Sequence, residues 1–394
     1  MDQTLNRALL ERREQGLLRR RQVLDSPQGS EISLAGTPVV SFCSNDYLGL
    51  ANHPDVVRAF KAGADQYGVG SGASHLISGH SRAHHSLEEE LAAFTGRSRA
   101  LLFSSGYMAN VGVITTLLKA GDSVFEDRLN HASLLDGGLF CQARFRRFPH
   151  RDYTALRAQL AGAPEKGSKL VVSDGVFSMD GDMADLPALL DTCTQHQALL
   201  MIDDAHGLGC LAEDGSGTTG YFRAQGTDLN ENNCQILVGT LGKAFGTGGA
   251  FVAGSQALIE SLIQFCRPYI YTTAMPAALA EATRCSLKLL REERWRRELL
   301  QDYIKRFRDQ CRDLNLSLCE SASPIQAVLF GDVERTVAAS EFLLQAGIYV
   351  SAIRPPTVPV GTARLRITFS AAHTEAQFQK LLVALEAMAG KFRQ

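Results

Sequence analysis

A lysine stands in a glycine-rich turn within the stretch Val238-Gly239-Thr240-Leu241-Gly242-Lys243-Ala244-Phe245-Gly246. The apolar run Ile236-Leu237-Val238 leads into this turn and predicts a short buried strand. A second apolar run, Leu199-Leu200-Met201-Ile202, ends in Asp203. In open α/β sheets ligands bind at the carboxyl ends of the strands. The lysine and the aspartate are therefore predicted to face one ligand-binding cleft.

Strand-like and helix-like segments alternate from about residue 46 to residue 290. Short apolar runs predict strands at 100–105, 122–127, 169–176, 199–205, 235–240 and 249–254. Helical patterns are predicted at 56–67, 107–119, 153–162 and 184–197. This alternation is typical of an α/β fold with a mostly parallel sheet that is covered on both faces.

Three parts of the chain are predicted. Residues 1–45 form an N-terminal helix followed by an extended segment that reaches Phe42. Residues 46–290 form the large α/β domain. Residues 291–394 form a smaller C-terminal α+β domain, which begins with one long charged helix from Arg291 to Leu314.

The composition is that of an ordinary enzyme. The chain has 394 residues and a formal net charge of −2 with mixed charges, which gives no electrostatic reason to expect nucleic acid or membrane partners. No apolar run approaches the ~20 residues that span a bilayer, and the N-terminus predicts no targeting peptide. The nine cysteines are scattered singly, which favours free thiols in a reducing compartment. We therefore expect a cytoplasmic protein.

An amine and a carboxylate in one cleft are what pyridoxal 5'-phosphate requires. The amine of Lys243 could hold the aldehyde of this cofactor as a Schiff base, and the carboxylate of Asp203 could keep its pyridine nitrogen protonated. His206 lies three residues past Asp203 and could donate a hydrogen bond to the ring oxygen.

Other ligands fit the sequence less well. A phosphate loop would need a glycine where Leu237 stands and a serine or threonine after Lys243. The pattern Gly68-x-Gly70-x-x-Ala73 follows a predicted helix, whereas a dinucleotide fingerprint follows a strand. Asp203, Asp204 and His206 could bind a metal, but further ligands are not evident nearby in the sequence.

Three more segments follow predicted strands. In Phe103-Ser104-Ser105-Gly106-Tyr107-Met108-Ala109-Asn110 a small-residue turn opens a helix, whose first N–H groups could bind a phosphate or simply form a strand–helix turn. His131 could lie against a cofactor ring or only cap a helix. Ser178 lies in the run Gly175–Asp182.

The sequence as a whole resembles the α-oxoamine synthases, which are fold type I pyridoxal-phosphate enzymes that join an amino acid to an acyl thioester with loss of carbon dioxide. The stretches that carry the resemblance are Ser44-Asn45-Asp46-Tyr47-Leu48-Gly49-Leu50, Gly70-Ser71-Gly72, Gly175–Asp182, Asp203-Asp204-Ala205-His206-Gly207, Thr240-Leu241-Gly242-Lys243 and Tyr271-Thr272-Thr273. Two further segments, Leu18-Arg19-Arg20-Arg21 and Ile353 to Arg366, are most similar to the members that condense L-alanine with a pimeloyl thioester in biotin biosynthesis.

The resemblance implies a role for each matching residue. Lys243, as catalytic residue, would carry the cofactor, with Asp203 at the pyridine nitrogen and His206 at the ring oxygen. The other cofactor contacts implied are Gly106, Tyr107, His131, Ser178, Thr240, Thr272 and Thr273. The substrate contacts implied are Arg19, Asn45, His131, Thr357 and Arg366, with Arg366 binding the amino-acid carboxylate. One departure is Ala73-Ser74-His75, where related synthases often carry another glycine or an arginine.

The resemblance also implies a homodimer, because the Tyr271-Thr272-Thr273 turn would reach the phosphate of the neighbouring subunit. Three alternatives stay open at this point: a sister synthase that uses glycine with acetyl-CoA or succinyl-CoA, a non-catalytic partner subunit of the same fold, and an aminotransferase. The acyl carrier is either coenzyme A or a carrier protein.

Overall fold

The computed structural model describes residues 1–14, 17–18 and 21–392. The strands in this part of the chain are β1 (Glu31–Leu34), β2 (Thr37–Ser41), β3 (Arg99–Phe103), β4 (Ser123–Asp127), β5 (Arg144–Phe148), β6 (Lys169–Asp174), β7 (Leu199–Asp203), β8 (Ile236–Thr240), β9 (Ala250–Gly254), β10 (Ile325–Gly331), β11 (Ile348–Tyr349), β12 (Ser351–Ile353) and β13 (Ala363–Thr368).

Helices connect and cover these strands. They are α1 (Asp2–Glu14), α2 (Pro54–Tyr67), α3 (Arg82–Thr95), α4 (Gly106–Leu117), α5 (Ala132–Phe140), α6 (Tyr153–Ala161), α7 (Leu186–Gln195), α8 (Gly217–Arg223), α9 (Gln256–Phe265), α10 (Arg267–Ile270), α11 (Ala277–Glu292), α12 (Trp295–Asp313), α13 (Val333–Gln345) and α14 (Glu375–Lys391). A short π-helical turn spans His75–Gly79.

The central sheet has the strand order β3-β9-β8-β7-β6-β4-β5. Among its described strands, β9 alone is antiparallel to its neighbours β3 and β8. The predicted mostly parallel sheet is therefore confirmed. The strand β5 was not predicted, and three of its five residues are arginines. Among the described strands it pairs only with β4, and it lies at one edge of the sheet.

Apolar side chains alternate along the central strands and bury both faces of the sheet. On β6, Leu170 and Val172 pack into one hydrophobic cluster with residues of α4, α5 and α9. Val171, between them, packs into a second cluster with residues of α6 and α7. The sheet is therefore covered on both faces, as is typical of mostly parallel sheets.

The C-terminal part contains an antiparallel sheet in the order β10-β13-β12. The single helix predicted from Arg291 to Leu314 is wrong: α11 ends at Glu292 and α12 begins at Trp295. Between them Glu293 leaves the helical conformation, and its carboxylate accepts a hydrogen bond of 2.6 Å from the buried Arg296. The proposed domain limits at residues 45 and 290 stay a prediction, and α11 continues two residues past the second of them.

The two ends of the chain meet. The strand β2 pairs with β1 and also, in parallel, with β11 from the C-terminal part. Residues just past β13 hold the segment just past β2: Ser370 Oγ donates to the Asp46 carbonyl at 2.6 Å, and Ala371 N–H donates to the Tyr47 carbonyl at 2.8 Å. The largest hydrophobic cluster contains residues of all three parts. None of the described helices has the length and the hydropathy to cross a bilayer.

Candidate active site

A cavity of about 180 Å³ lies at the carboxyl ends of the central strands. Its lining residues are Gly106, Tyr107, Asn110, His131, Ser133, Asp174, Ser178, Asp203, Ala205, His206, Val238, Gly239, Thr240 and Lys243. The structure thus brings together eight of the residues singled out in the sequence.

Two carboxylates stand side by side at the floor of this cavity. Asp174 ends β6, Asp203 ends β7, and the two residues are paired in the parallel register. Asp203 is fixed from both sides, because its Oδ2 accepts from Asn110 Nδ2 at 2.6 Å and its Oδ1 accepts from the Ala205 N–H at 3.0 Å. The carboxylate of Asp203 is therefore held in one orientation before any ligand arrives.

Asp174 was not predicted as a site residue. Its Oδ2 accepts the His131 backbone N–H at 2.7 Å. Burial raises the pKa of Asp174 well above its usual value, and the negative charge of Asp203 acts in the same direction. Asp174 therefore positions the His131 backbone and favours the protonated form more than an exposed aspartate does.

Lys243 extends from the turn after β8 to the centre of the cavity, where its Nζ lies 2.8 Å from Nε2 of His206. Burial lowers the pKa of Lys243 to about 8, although the charges of Asp203 and Asp174 oppose this shift. About a tenth of this amine is consequently neutral at pH 7, far more than for an exposed lysine, and a neutral amine is the form that reacts with a carbonyl group.

His206 is held through both ring nitrogens. Its Nδ1 lies 2.7 Å from the hydroxyl of Tyr47, on the side opposite Lys243. Burial lowers the pKa of His206 well below its usual value, and the positive charge of Lys243 contributes to the same shift. The imidazole is therefore neutral and carries a single N–H.

His131 lies at the rim of the cavity and caps α5. Its Nδ1 lies 2.7 Å from Ser133 Oγ, and the ring accepts the Ser133 N–H. Helix capping by His131 is therefore observed, and the residue also lines the cavity; its contact with a cofactor ring stays a prediction.

The start of α4 forms a further part of the cavity wall. Gly106 and Tyr107 lie in its first turn, after the N-cap residue Ser105, whose Oγ accepts the Met108 N–H at 3.2 Å. N–H groups of a first helical turn have no acceptor within the helix, and the helix dipole adds positive potential there. This part of the cavity can bind an anion such as a phosphate.

Arg366 stands next to the cavity on β13. Its Nε donates to the Ser178 carbonyl at 2.6 Å, and its Nη2 donates to Asn45 Oδ1 at 3.1 Å. Arg366 is buried, so its positive charge is fixed beside Ser178 and Asn45. A guanidinium held in this way could bind the carboxylate of a small substrate.

Some predicted residues do not line the cavity in the single chain. Thr272 and Thr273 lie in the turn after α10, and Thr357 is exposed in the loop before β13. Their roles stay predictions. Arg19 lies outside the described residues.

The metal alternative is not favoured by the geometry of its three residues. Asp204 points away from Asp203 and His206, because its Oδ2 accepts the Thr218 N–H at 2.7 Å below the sheet edge. The three side chains therefore do not converge on one point.

Asn110 and Tyr47 were missed as site residues. Asn110 lies one turn past Gly106, so its helical spacing from a predicted anion site was a usable signal. The contact of Tyr47 with His206 joins residues 159 apart in sequence. No local sequence pattern predicts such a contact.

Known proteins identify the family. A family model described as aminotransferase class I and II matches residues 37–385. The chain belongs to this family. The 8-amino-7-oxononanoate synthase of Cellvibrio japonicus is 58% identical over 385 residues, which cover 98% of this chain and 95% of that protein. The protein of the same name from Pseudomonas putida strain F1 is 57% identical over 377 residues, which cover 96% and 95%.

Solved structures of similar fold agree with this family membership. Serine palmitoyltransferase from S. paucimobilis, which was solved with PLP and myriocin bound, has a TM-score of 0.90 at 31% identity and covers 98% of this chain and 97% of its own. The 8-amino-7-oxononanoate synthase from Francisella tularensis has a TM-score of 0.77 at 33% identity and covers 90% and 97%. The predicted fold type I architecture and membership of the α-oxoamine synthases are thus confirmed.

Proposed function

We propose that this chain is a pyridoxal-phosphate enzyme that condenses L-alanine with a pimeloyl thioester to 8-amino-7-oxononanoate, carbon dioxide and a free thiol, in biotin biosynthesis. The observation that carries the proposal is the meeting of Lys243 and Asp203 in one cavity, in a chain that is 58% identical to a synthase of this name. The pimeloyl group would arrive on coenzyme A or on a carrier protein.

The residues of the cavity fit pyridoxal phosphate. At one end, the first turn of α4 supports a phosphate, and a Cβ built on Gly106 would meet no atom within 4 Å, so the approach to this turn is open. At the other end stands the fixed carboxylate of Asp203. Lys243, between them, has the lowered pKa that an amine needs to react with an aldehyde.

When bound, pyridoxal phosphate supplies an electron sink for the electron pair that remains when a bond at the substrate α-carbon breaks. Asp203 would hold a proton on the pyridine nitrogen, which keeps that sink effective. His206 would donate its ring N–H to the ring oxygen, and Ser178, Thr240 and His131 would complete the contacts.

Lys243 would have two tasks. Its amine would hold the cofactor, and as a free amine it would act as a general base toward the α-proton of the substrate. Its pKa of about 8 lies closer to neutrality than that of an ordinary lysine, and a general base is most efficient when its pKa is near the operating pH. The same group can later return a proton to the α-carbon.

Arg366 would orient the amino acid. Its guanidinium is held by the Ser178 carbonyl and by Asn45, so a carboxylate bound to its remaining N–H groups fixes the α-carbon relative to Lys243. Arginine suits this task because its planar donors match a carboxylate.

A homodimer with shared sites is part of the proposal. Large apolar side chains are exposed on the neighbouring elements α5, α9 and the turn after α10, namely Leu139, Phe140, Phe265 and Tyr271. Such surfaces mark interaction sites. Burying them against a second copy would place Thr272 and Thr273 at the interface, where they would reach the phosphate of the partner's site. We also place the enzyme in the cytoplasm, which agrees with its nine free cysteines.

Two measurements test the function. Borohydride reduction of the purified protein followed by peptide mapping is expected to label Lys243, and Lys243→Ala should lose both the label and the absorbance of the bound cofactor. Label on another lysine would refute the assignment.

The substrates require a separate assay in which alanine, glycine or serine is offered against pimeloyl, acetyl, succinyl and palmitoyl thioesters. Mass analysis should find product only, or mainly, from alanine and the pimeloyl donor. A preference for glycine would instead indicate a sister synthase.

A further inference from the structure

A continuous line of hydrogen bonds joins Lys243 to Arg366. Lys243 Nζ lies 2.8 Å from His206 Nε2, and His206 Nδ1 lies 2.7 Å from the hydroxyl of Tyr47. That hydroxyl lies 3.1 Å from Asn45 Oδ1, which also accepts from Arg366 Nη2 at 3.1 Å. Tyr47 is fully buried and stands at the middle of this line.

The Asn45–Arg366 end of the line restricts where its protons can lie. Asn45 Oδ1 can only accept a hydrogen bond, and Arg366 can only donate one. Burial raises the pKa of Tyr47, so its hydroxyl keeps its single proton.

Two arrangements satisfy these conditions. When Lys243 is an ammonium group, it donates to His206 Nε2; the ring proton is then on Nδ1 and is donated to Tyr47, whose own proton goes to Asn45. When the ring proton is on Nε2, Tyr47 donates to Nδ1 instead, and Asn45 keeps only the bond from Arg366. The hydroxyl of Tyr47 turns between these two acceptors.

We propose that Tyr47 is a positioning residue whose hydroxyl determines which ring nitrogen of His206 carries the proton, and that it thereby couples the Lys243 amine to the Asn45–Arg366 pair. A ligand oxygen beside Lys243 needs a proton on Nε2, whereas the Lys243 ammonium group needs a lone pair there. Tyr47 serves both needs because it can donate to Nδ1 or accept from it. The inference rests on the proposed function in taking Arg366 as the carboxylate-binding group and His206 as the donor to a ligand oxygen.

The effect of Tyr47 can be separated from that of the charges around Lys243. The groups that face Lys243 are Asp203, Asp174, Arg366, Cys210, His206 and His131. A Tyr47→Phe substitution keeps all of these groups and removes one oxygen, which faces His206, Asn45 and Arg366. Any change in the Lys243 pKa in this variant therefore reports the hydrogen-bond line.

The experiment uses the full-length protein freed of cofactor, so that its outcome does not depend on catalysis. Nitrogen-15 spectra of labelled histidines report the tautomer of His206, with His206→Gln to assign the signal. The rate of Lys243 acetylation against pH reports the pKa of the amine. A matched control is Tyr303→Phe, which removes another buried tyrosine hydroxyl, one that donates to the His373 carbonyl at 2.9 Å away from the cavity.

Wild-type protein should show the proton of His206 on Nδ1 below pH 8. In Tyr47→Phe the Nδ1–H loses its acceptor, so the proton should move to Nε2, and the pKa of Lys243 should fall by roughly 0.7 unit, which corresponds to ~1 kcal/mol for one hydrogen bond. Tyr303→Phe should change neither signal. An unchanged tautomer and an unchanged Lys243 pKa in Tyr47→Phe would overturn the proposal.

A second variant covers the case that Tyr47→Phe does not fold. Asn45→Ala removes the acceptor of the Tyr47 proton, which should then be donated to Nδ1 and again favour a proton on Nε2. The tautomer of His206 is the readout for this variant, because Asn45 also holds Arg366, whose charge acts on Lys243. No shift in this variant would also count against the proposal. Because neither readout requires turnover, a failure of this inference is distinct from a failure of the proposed reaction.

Discussion

His150 connects two buried carboxylates that lie beside the active site, and replacing it tests how the Gly175–Asp182 loop is held. Its Nδ1 lies 3.0 Å from Asp127 Oδ1 at the end of β4, and its Nε2 lies 2.8 Å from Asp182 Oδ2. The same loop carries Ser178, whose carbonyl accepts from Arg366. We predict that His150→Gln lowers the stability of the protein in a pH-dependent way.

The size of the effect follows from the charge on His150. Burial alone would lower its pKa, but the hydrogen bonds to Asp127 and Asp182 outweigh burial and raise the pKa to about 9. From an ordinary value of 6.5 this is roughly 2.5 units, or ~3 kcal/mol at 1.36 kcal/mol per unit. Because the folded pKa is the higher one, this stabilisation is fully present below pH 6.5 and is lost as the pH rises through about 9.

The assay is urea unfolding of wild type and His150→Gln at fixed protein and cofactor concentration, at several pH values from 6 to 10. The difference in unfolding free energy between the two proteins should shrink by ~3 kcal/mol across this range, since other titrating groups affect both proteins alike. The control is His85→Gln, which breaks an exposed pair with Glu89 and should cost less than ~1 kcal/mol. A wild-type–variant difference that is flat with pH, or that grows, would refute the reasoning.

Three further predictions concern the site. Asp203→Asn should slow the exchange of the alanine α-proton by several orders of magnitude, with ~1.4 kcal/mol for each factor of ten, and near-wild-type exchange measured by NMR would contradict the role of Asp203. Asn110→Ala removes a hydrogen bond to that carboxylate, worth ~1.5–3 kcal/mol, so turnover should fall roughly 10–100-fold while the cofactor absorbance stays; an unchanged kcat would speak against it. Mixing Lys243→Ala chains with Thr272→Ala/Thr273→Ala chains should restore up to roughly a quarter of wild-type activity if sites are shared in a two-fold dimer. No recovery of activity in verified mixed dimers would contradict the shared site.

Much of the fold could be predicted because parallel strands leave a strong local signal. A strand buried on both faces is a continuous apolar run, and each such run ended close to where the structure ends it. The strand β5, Arg144–Phe148, gives no such signal, since only Phe148 is fully buried while Arg144 and Arg147 are exposed. The break between α11 and α12 also leaves no local mark, because helix-forming charged residues continue through it.

The residues of the cavity fall into the same two groups, those with a local sequence signal and those without one. Lys243 and Asp203 were predicted because each follows a clear strand. Asp174 ends the adjacent strand in the same manner, so the same rule could have found it. Tyr47 could not be found from spacing, since its position beside His206 depends on how distant parts of the chain pack.

The meeting of the two chain ends sets the order in which this protein can be completed during synthesis. The segment with Asn45 and Tyr47 leaves the ribosome early, but Ser370 and Ala371, which fix its backbone, follow more than 300 residues later. A nascent chain can already possess Lys243, Asp203 and the whole central sheet while this segment still lacks its anchor. A chain that ends before Ser370 would therefore carry Lys243 but would lack two of the hydrogen bonds that hold the segment with Asn45 and Tyr47, and we expect such a chain to be inactive.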